Sequence, residues 1–496
     1  MTHYLKRCPF SCALLVAIWV LCLIPIPDIE PLHGFNLLDK WTHFVMYGVF
    51  SFVVCYEHKR ISWHTIVLPI LMGGMIELAQ AYLTTCRSGE WLDLLANSIG
   101  VVIGNTLYFL VKGLRSKYMK VLLLSTYEKT GGAAIAASRL LQALRKSGVD
   151  ATMMCRKNLS WWKGKPQSWS SIAERMMLVA GNISTFGNLW TMDYAQYGQD
   201  ITKTKEFQEA DVIHLHWVNQ GFLAFKELEK IVYSGKRIVW TMHDEWCFTG
   251  GCHYSGDCRQ YQMGCECCPY VRISAFRNAA HKAWEKKQQL YNKHNITFVA
   301  CSLWLKRISE KKALADGQKI LAIPNPIDTS IYKPLATPST NMILFVAQRV
   351  DDERKGLKYL DKAVQILKKR GEKVEVLALG RDIPYISDEK KMAELYAKSA
   401  CFVTPSLQDN LPNTIMEAMA CGTPCVGFNV GGIPEMIDHA LNGYVARYKD
   451  ATDLADGISY VLANRQMLGK AAREKVLATY SEGSVAKRYI KVYSEK

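Results

Sequence analysis

The chain of 496 residues is 49% hydrophobic and 21% charged, which argues against disorder over most of its length. It is too long for one hydrophobic core and predicts about three domains. The formal charge of +16 is spread along the chain without a nucleic-acid motif, so it favours a membrane surface or a phosphate-bearing substrate over nucleic acid. Most of the sixteen cysteines lie singly, which indicates a reducing compartment rather than a disulfide framework.

Four apolar stretches fill the first 118 residues, at 10–26, 41–56, 61–83 and 94–111. The first lies in a segment without charge between Arg7 and Asp28. A cleaved signal peptide would end at a small-residue cleavage site, whereas three more apolar stretches follow here. A helix of about 20 apolar residues crosses a bilayer core of roughly 30 Å. We therefore predict a domain of four transmembrane helices over residues 1–118.

The basic residues around these stretches predict their orientation. Three clusters would lie on one side of the membrane, and they are Lys6 with Arg7, Lys59 with Arg60, and Lys112, Arg115, Lys117 and Lys120. The opposite loops hold two basic residues beside four acidic ones: Lys40, Arg87, Asp28, Glu30, Asp39 and Glu90. Because basic residues favour the cytoplasmic side, we predict a multi-pass protein of the cell's inner membrane with residues after 118 in the cytoplasm.

Polar side chains inside the apolar stretches form a predicted membrane cluster. Most occur in pairs spaced three or four residues apart, hence on one helix face, and the set is Lys40, His43, Tyr47, Glu77, Gln80, Arg87, Asp93 and Asn97. This pattern resembles the VanZ-like membrane family over roughly residues 5–115. The resemblance implies architecture more than function. A network that locks four helices together and a headgroup-binding or catalytic role both stay open.

Strand and helix patterns alternate after residue 120. Apolar runs ending in polar residues lie at 121–125, 211–217, 237–244 and 296–302, and a second set lies at 342–347, 374–379 and 401–404. Gly131 and Gly132 follow the first run and precede a helix. Their backbone amides can bind an anion or a sugar hydroxyl, but the two glycines could also form only a tight turn. The pattern predicts two α/β domains with Rossmann-like sheets that face one cleft, which is the GT-B architecture.

The segment from Pro405 to Pro424 carries the most specific motif. Asp409 and Glu417 are acidic residues with seven residues between them, and Gly431-Gly432 and Asn442-Gly443 follow. These residues resemble glycosyltransferase family 4, and the resemblance extends over essentially residues 119–496. Family members usually have Glu where this chain has Asp409. The resemblance implies an acceptor-side domain at 119–325, a nucleotide-sugar-binding domain at 326–478, and a C-terminal helix at 479–496 that packs back on the acceptor-side domain.

The resemblance also implies site residues. Glu417 would bind the ribose diol, and the donor site would further comprise Gly131, Gly132, Arg349, Lys355, Leu411, Pro412, Asn413 and Thr414. Arg349 and Lys355 would neutralise the leaving phosphate, with Arg354 as a possible substitute for Lys355. His243, Asp409 and Glu417 are the expected catalytic residues. Because no Asp-x-Asp ends a nucleotide-binding strand, we expect catalysis without a metal. The resemblance further implies retention of the anomeric configuration.

A cysteine-rich loop at 247–268 follows the strand that ends at His243. Its thiols suffice for a structural zinc site, with Cys265 and Cys268 at Cys-x-x-Cys spacing, and the candidate ligands are Cys252, Cys258, Cys265 and Cys268. Five residues separate Cys252 from Cys258, which is not a common zinc spacing. Bound zinc and unliganded thiols in a packed loop therefore both stay open.

The expected function is that of a membrane-anchored, metal-independent, retaining glycosyltransferase. It would move a sugar from a nucleotide-sugar to a glycan or lipid-linked glycan acceptor, in cell-surface polysaccharide synthesis. One alternative is a nucleotide-sugar epimerase, which uses the same two-domain fold. Another is a non-catalytic VanZ-like membrane protein that confers drug resistance or binds lipid.

Overall fold

The computed structural model describes residues 8–23, 38–58, 61–83, 91–156, 169–181, 191–271, 277–292, 295–310, 318–335, 342–349 and 352–495. The chain divides into two compact units, which meet between Tyr118 and Met119 in the sequence. Several residues that carry the orientation and cluster predictions lie outside the described residues: Lys6, Arg7, Asp28, Glu30, Lys59, Arg60, Arg87 and Glu90. The side chains of Asp39 and of residues 112–118 lie outside them as well.

The first unit is helical in its described residues. Its helices are α1 (Pro9–Leu23), α2 (Leu38–His58), α3 (Trp63–Leu83) and α4 (Trp91–Tyr118). Helices α2 and α4 approach closely, because a Cβ on Gly100 or Gly104 of α4 would collide with the backbone of α2. A small core, which includes Ile18, Tyr47 and Val101, lies between the helices.

Two described helices are long and apolar enough to cross a membrane, over Trp63–Tyr82 and Trp91–Val111. The prediction of four transmembrane helices is therefore supported only in part. Helix α1 has 15 residues, which span roughly 22 Å and fall short of a bilayer core. Helix α2 is long enough, but Lys40, Glu57 and its other polar residues reduce its mean hydropathy.

The first half of the second unit is a parallel sheet. Among the described residues it has six strands in the order β2-β1-β3-β4-β5-β6: β1 (Lys120–Ser125), β2 (Asp150–Cys155), β3 (Val212–Leu215), β4 (Arg237–Met242), β5 (Ile296–Ala300) and β6 (Lys319–Ala322). The strands alternate with α5 (Gly132–Lys146), α6 (Trp169–Gly181), α7 (Lys205–Glu209), α8 (Phe225–Val232), α9 (Arg277–Asn292) and α10 (Leu303–Glu310). The central strands are almost wholly buried, as apolar runs are when helices cover both faces.

The second half repeats this design with a smaller sheet. Its described strands have the order β11-β10-β9-β7-β8: β7 (Met342–Val346), β8 (Glu375–Leu379), β9 (Cys401–Thr404), β10 (Cys425–Phe428) and β11 (Gly443–Ala446). The helices are α11 (Leu357–Lys369), α12 (Glu389–Lys398), α13 (Asn413–Ala420), α14 (Ile433–Met436), α15 (Ala451–Ala463), α16 (Arg465–Thr479) and α17 (Glu482–Ser494).

The last helix, α17, packs on the first sheet rather than the second. Val485 and Tyr489 lie in the same buried cluster as Leu123 of β1. The hydroxyl of Tyr489 lies 2.9 Å from Oγ1 of Thr241. Chain from the second half thus completes the core of the first, which ties the two halves together.

Candidate active site

Both sheets have a point at which the strand order reverses. It lies between β1 and β3 in the first sheet and between β7 and β9 in the second. Open parallel sheets bind ligands in the crevice outside the carboxyl ends of the strands at such a point. Gly131 follows β1 and His216 follows β3, while Lys355 follows β7 and Asp409 follows β9. The motif residues therefore lie where this fold binds ligands.

Lys355 and Asp409 form an ion pair at the second crevice. Nζ of Lys355 lies 2.8 Å from Oδ2 of Asp409, and the side chains are 33% and 15% exposed. Burial lowers the pKa of Lys355, but Asp409 outweighs this and raises that pKa above its ordinary value. The φ of Gly356 is +70°, and a Cβ there would collide with the carbonyl of Pro405. The loop of Lys355 therefore packs directly against the loop of Asp409.

The neighbouring arginines of this loop have other positions. Nε of Arg354 donates to Oδ1 of Asp352 at 3.0 Å, and its guanidinium lies 4.0 Å from the ring centroid of Tyr254. Arg349 is exposed at the start of the loop. The cation that contacts Asp409 in this arrangement is therefore Lys355 and not Arg354.

Glu417 lies in a buried network that joins the two halves. Nη2 of Arg139, from α5, donates to Oε1 of Glu417 at 2.8 Å, and the hydroxyl of Tyr396 donates to Oε2 at 3.0 Å. Arg139 also donates to Oε1 of Glu389 at 2.8 Å and to the hydroxyl of Tyr332 at 3.0 Å. Burial lowers the pKa of Arg139, but these neighbours raise it overall. Each Glu417 oxygen keeps a second lone pair, which can accept from a ligand hydroxyl.

The glycine turn of the first half reaches the start of α13. Nδ2 of Asn413 donates to the carbonyl of Gly132 at 3.0 Å, and Oδ1 of Asn413 accepts from Asn325 at 3.1 Å. The φ of Gly131 is +90°, and no atom lies within 4 Å of the position that a Cβ would take. The segment from Leu411 to Thr414 therefore faces the turn across the crevice, with Pro412 at the position before α13.

His243 contacts a second histidine at the carboxyl ends of β3 and β4. Nε2 of His243 lies 2.9 Å from Nδ1 of His216, and Nδ1 of His243 lies 3.5 Å from Sγ of Cys301. Burial lowers the pKa of His243 to about 4. The imidazole is therefore neutral near pH 7 and offers polar contacts without charge.

The cysteine-rich loop brings two more side chains to this crevice. Nδ1 of His253 lies 2.7 Å from Oδ2 of Asp244, which also accepts from Nε1 of Trp217 at 2.9 Å. Burial raises the pKa of Asp244, but His253 and the other donors lower it overall. The next residue, Tyr254, lies against Arg354 of the second half. The loop thus contacts both the His243–Asp244 strand end and the Lys355 loop.

The thiols of this loop are close but do not form a compact ligand set. The hydrogen bond between Cys252 and Cys268 raises the pKa of Cys252 and lowers that of Cys268 to about 7. Cys265 accepts from the amide of Gly250 at 3.2 Å, and Cys258 is partly exposed. No three of these thiols lie within 4.8 Å of one another in the described structure. A zinc site here stays a prediction.

The structure brings together most of the predicted transferase residues and adds several that the sequence reasoning missed. Short motifs marked Lys355, Asp409, Glu417 and His243. The missed contacts come from other elements: Arg139, His216, His253, Tyr254, Tyr332, Glu389 and Tyr396. The only sequence signal for any of them is the His-Leu-His-Trp run at the end of β3.

The predicted membrane cluster also gathers in the first unit. Nζ of Lys40 lies 2.6 Å from Oδ1 of Asp93, and Nδ1 of His43 lies 3.6 Å from Oε1 of Glu77. Gln80 instead donates to the carbonyl of Cys22 at 2.9 Å. Six of the seven described members are buried to 7% exposure or less: His43, Tyr47, Glu77, Gln80, Asp93 and Asn97.

Comparison with known families places both units. Residues 340–464 match the family model described as glycosyl transferases group 1, and residues 10–112 match the model described as VanZ/LLP1. A sucrose-phosphate synthase from Thermosynechococcus elongatus has a similar fold, with a TM-score of 0.50 and 18% identity over 76% of this chain and 98% of that chain.

Two curated relatives illustrate the proteins that carry similar sequence. A putative colanic acid biosynthesis glycosyl transferase of Escherichia coli is 26% identical over 46% of this chain and 60% of its own length. An N,N'-diacetylbacillosaminyl-diphospho-undecaprenol alpha-1,3-N-acetylgalactosaminyltransferase of Campylobacter jejuni is 33% identical over 22% of this chain and 30% of its own length. The chain thus spans about a third to three fifths of the length of these relatives.

The second unit therefore has a GT-B-like α/β fold, with parallel sheets in both halves and a glycosyl transferase group 1 domain at its C-terminal end. The first unit contains a VanZ/LLP1 domain.

Proposed function

We propose that the chain is a membrane-anchored, retaining glycosyltransferase that moves a sugar from a nucleotide-sugar to a glycan or lipid-linked glycan. The observation that carries the proposal is the convergence of two sets of contacts at one crevice. Glu417 contacts Arg139 across the two halves, and Lys355 contacts Asp409 between the loops that follow β7 and β9. A carboxylate suited to a ribose diol and a cation suited to a pyrophosphate thus follow strands of the same sheet.

In the proposed reaction, the charge of each residue at the crevice would determine which part of the donor it contacts. Lys355 and Arg349 would meet the negative charge that develops on the leaving diphosphate. Asp409 would accept hydrogen bonds from hydroxyls of the donor sugar while Lys355 keeps further N–H donors for phosphate. The acceptor would attack from the face that the diphosphate leaves, and the diphosphate would take the acceptor proton. Neutral His243 would contact the reacting sugar without adding a charge.

A membrane-borne acceptor is supported by the first unit. Two of its described helices are long and apolar enough to span a bilayer. The Campylobacter relative is named for a diphospho-undecaprenol substrate and the Escherichia coli relative for colanic acid biosynthesis. We therefore propose a lipid-linked glycan of cell-surface polysaccharide synthesis as the acceptor, with the transferase in the cytoplasm and the first unit crossing the inner membrane as four helices.

Glu417→Gln is expected to lower kcat/KM for the nucleotide-sugar by at least about tenfold, because a charge-assisted hydrogen bond contributes roughly 1.5–3 kcal/mol. The loss should fall mainly on the KM for the nucleotide-sugar, since ribose binding is made before and during the reaction. Steady-state release of nucleoside diphosphate measures it. Glu394→Gln, at an exposed position of α12, is the matched control and should turn over like the wild type. Unchanged KM and kcat in a folded Glu417→Gln variant would remove the ribose role.

Donor turnover is expected to persist in excess chelator, because fixed cations already face the leaving diphosphate. Hydrolysis of the nucleotide-sugar by the full-length protein should be compared before and after chelation, with bound zinc measured in both samples. A loss of hydrolysis that only Mg²⁺ or Mn²⁺ restores would contradict metal-independent catalysis. Activity that tracks the loss of zinc would instead assign a supporting role to the cysteine-rich loop.

A GT-B epimerase is the second candidate activity, since it would use the same donor site. The glycine turn at Gly131 faces the donor helix from the acceptor side, which favours transfer. Product analysis separates the two, because an epimerase returns an isomeric nucleotide-sugar or its sugar, whereas a transferase consumes the acceptor in proportion to the nucleoside diphosphate released.

A further inference from the structure

Three side chains of metal-ligand type meet inside the helical unit. They come from three helices, His43 from α2, Glu77 from α3 and Asp93 from α4, and all three are buried. One ligand atom from each lies within 4.8 Å of the others. Among the residues that the structure describes, this is the one group of His, Cys, Asp and Glu that meets this distance.

The ion pair of Asp93 does not block a ligand role. Nζ of Lys40 contacts Oδ1 of Asp93 at 2.6 Å, and the side chain of Lys40 is 20% exposed. A carboxylate has two oxygens, so Asp93 can keep this contact and offer its other oxygen to a cation. The ammonium also fixes the orientation of Asp93, as the outer partners of metal ligands commonly do.

Two hydrogen-bond donors lie beside this group without an acceptor. The hydroxyl of Tyr47 and Nδ2 of Asn97 make no hydrogen bond among the described residues, and the two residues are 2% and 0% exposed. Oδ1 of Asn97 lies 3.2 Å from Nδ1 of His43, and Tyr47 follows His43 by one helical turn. Both side chains pack at Gly73, where a Cβ would lie 3.0 Å from Nδ2 of Asn97 and 3.3 Å from the Tyr47 ring.

Buried donors without an acceptor are costly and call for an additional group. A second polar cluster in the same unit provides the contrast, because its members satisfy one another. Asn105 donates to Ser51 at 2.6 Å and accepts from Cys55 at 3.0 Å and from Thr65 at 3.2 Å. That cluster has the contacts of a network that only holds helices together. In the cluster around His43, by contrast, the Tyr47 hydroxyl and Nδ2 of Asn97 have no acceptor among the described residues.

We propose that His43, Glu77 and Asp93 bind a divalent transition-metal ion, and that Tyr47 and Asn97 donate to an oxygen ligand on that ion. One imidazole and two carboxylates suit ions of the Mn²⁺ to Zn²⁺ range. Three protein ligands leave coordination positions open, as in metal sites that bind water or substrate. The proposed metal site rests only on residues of the first unit, so the proposal stands whether or not the proposed transfer occurs.

The test is a Mn²⁺ titration of the full-length protein in detergent after chelation, followed by electron paramagnetic resonance. Mn²⁺ is chosen because oxygen and imidazole ligands hold it while the thiols of the cysteine-rich loop do not. The wild type should bind about one ion per chain, as one three-ligand site allows. Glu77→Gln and Asp93→Asn should each weaken binding by at least about tenfold. Ser51→Ala, a buried polar change in α2, is the matched control and should bind like the wild type.

A Co²⁺ spectrum of the wild type supplies a readout that does not depend on the folding of any variant. Binding at His43, Glu77 and Asp93 should give d–d bands without thiolate charge transfer, together with a higher melting temperature. Absence of saturable Mn²⁺ and Co²⁺ binding to the wild type would overturn the proposal. So would full binding by a double Glu77→Gln, Asp93→Asn variant that keeps its melting temperature.

Discussion

Lys355→Ala is expected to lower both donor hydrolysis and sugar transfer by at least about tenfold. Nζ of Lys355 sits 2.8 Å from Asp409 at the carboxyl edge of the second sheet, where a diphosphate would lie. In the proposed mechanism, removing the ammonium would delete a charge that stabilises the leaving diphosphate in the transition state and would leave Asp409 to repel that diphosphate. Because the charge develops as the bond breaks, the loss should appear in kcat as well as in kcat/KM. Steady-state release of nucleoside diphosphate measures both.

Three controls make this result specific. Lys362→Ala removes an exposed lysine from the nearby helix α11 and should leave turnover unchanged. Arg354→Ala should cost less than Lys355→Ala, because Arg354 contacts Asp352 and Tyr254 rather than Asp409. Melting temperatures separate loss of folding from loss of chemistry. A larger loss in Arg354→Ala than in Lys355→Ala would assign the phosphate contact to the arginine, and normal kcat in a folded Lys355→Ala would refute the role of Lys355.

Deleting residues 1–118 is expected to abolish most transfer to an acceptor in membranes while donor hydrolysis persists. The second unit begins at Met119 and is compact on its own, and the first strand of its sheets begins at Lys120. The deletion therefore removes no strand of either sheet. Anchoring would confine the active site near a lipid-borne acceptor and raise its effective concentration without any new contact. Basic residues at the junction would add attraction to anionic lipid of about 1 kcal/mol each. The assay compares truncated and full-length proteins on vesicle-borne acceptor and on donor hydrolysis.

An unrelated membrane anchor fused to the truncated protein separates tethering from a specific role. Restored transfer would make the first unit a tether. If transfer stays low, and Glu77→Gln or Asp93→Asn in the full chain also abolishes it, the buried cluster handles the acceptor. Equal transfer by the truncated and full-length proteins would contradict both readings and give the VanZ/LLP1 domain an independent function.

Residues that belong to a short motif were predictable from the sequence, and residues that reach the site by tertiary contact were not. Lys355 lies in one short segment, and Asp409 and Glu417 lie in another with seven residues between them, so both segments could be recognised from the sequence alone. Arg139 lies in the middle of α5, and nothing in its local sequence distinguishes it from a surface arginine. It becomes part of the site only because the fold brings its guanidinium within 2.8 Å of Glu417 of α13 in the second half.

The cysteine-rich loop gives a second example. The sequence predicted a possible metal site at its thiols, because cysteine spacing is a strong local signal for metal binding. Its contribution to the crevice instead comes from His253 and Tyr254, which lie between Cys252 and the rest of the loop. No sequence motif singles out His253 or Tyr254. Their positions in the crevice become visible only from their contacts with Asp244 and Arg354 in the folded chain.

The first sheet was predictable in its four inner strands and not at its edges. In the second sheet, the edge strand β8 was predicted at 374–379, whereas the inner strand β10 and the edge strand β11 were not. Runs such as that of β5 are wholly buried and almost wholly apolar, because helices cover both faces. Strands β2 and β6 lie at the two edges of the first sheet and carry exposed polar residues, Asp150 and Lys319 at their starts, so their patterns resemble loops. In the helical unit, α2 is less apolar than the two candidate membrane spans in α3 and α4, because polar residues that contact neighbouring helices lower its mean hydropathy.

Turnover of a panel of nucleotide-sugars by the purified full-length protein is the direct test of the proposed glycosyl transfer. Wild type, Glu417→Gln and Lys355→Ala would be assayed side by side with membrane vesicles as the acceptor source, and all products identified. We expect at least one nucleotide-sugar to be consumed with release of its nucleoside diphosphate. The sugar should appear on a membrane-extractable product with its anomeric configuration retained, and both variants should be impaired. Formation of an isomeric nucleotide-sugar instead, or equal turnover by wild type and both folded variants, would contradict the proposed transfer.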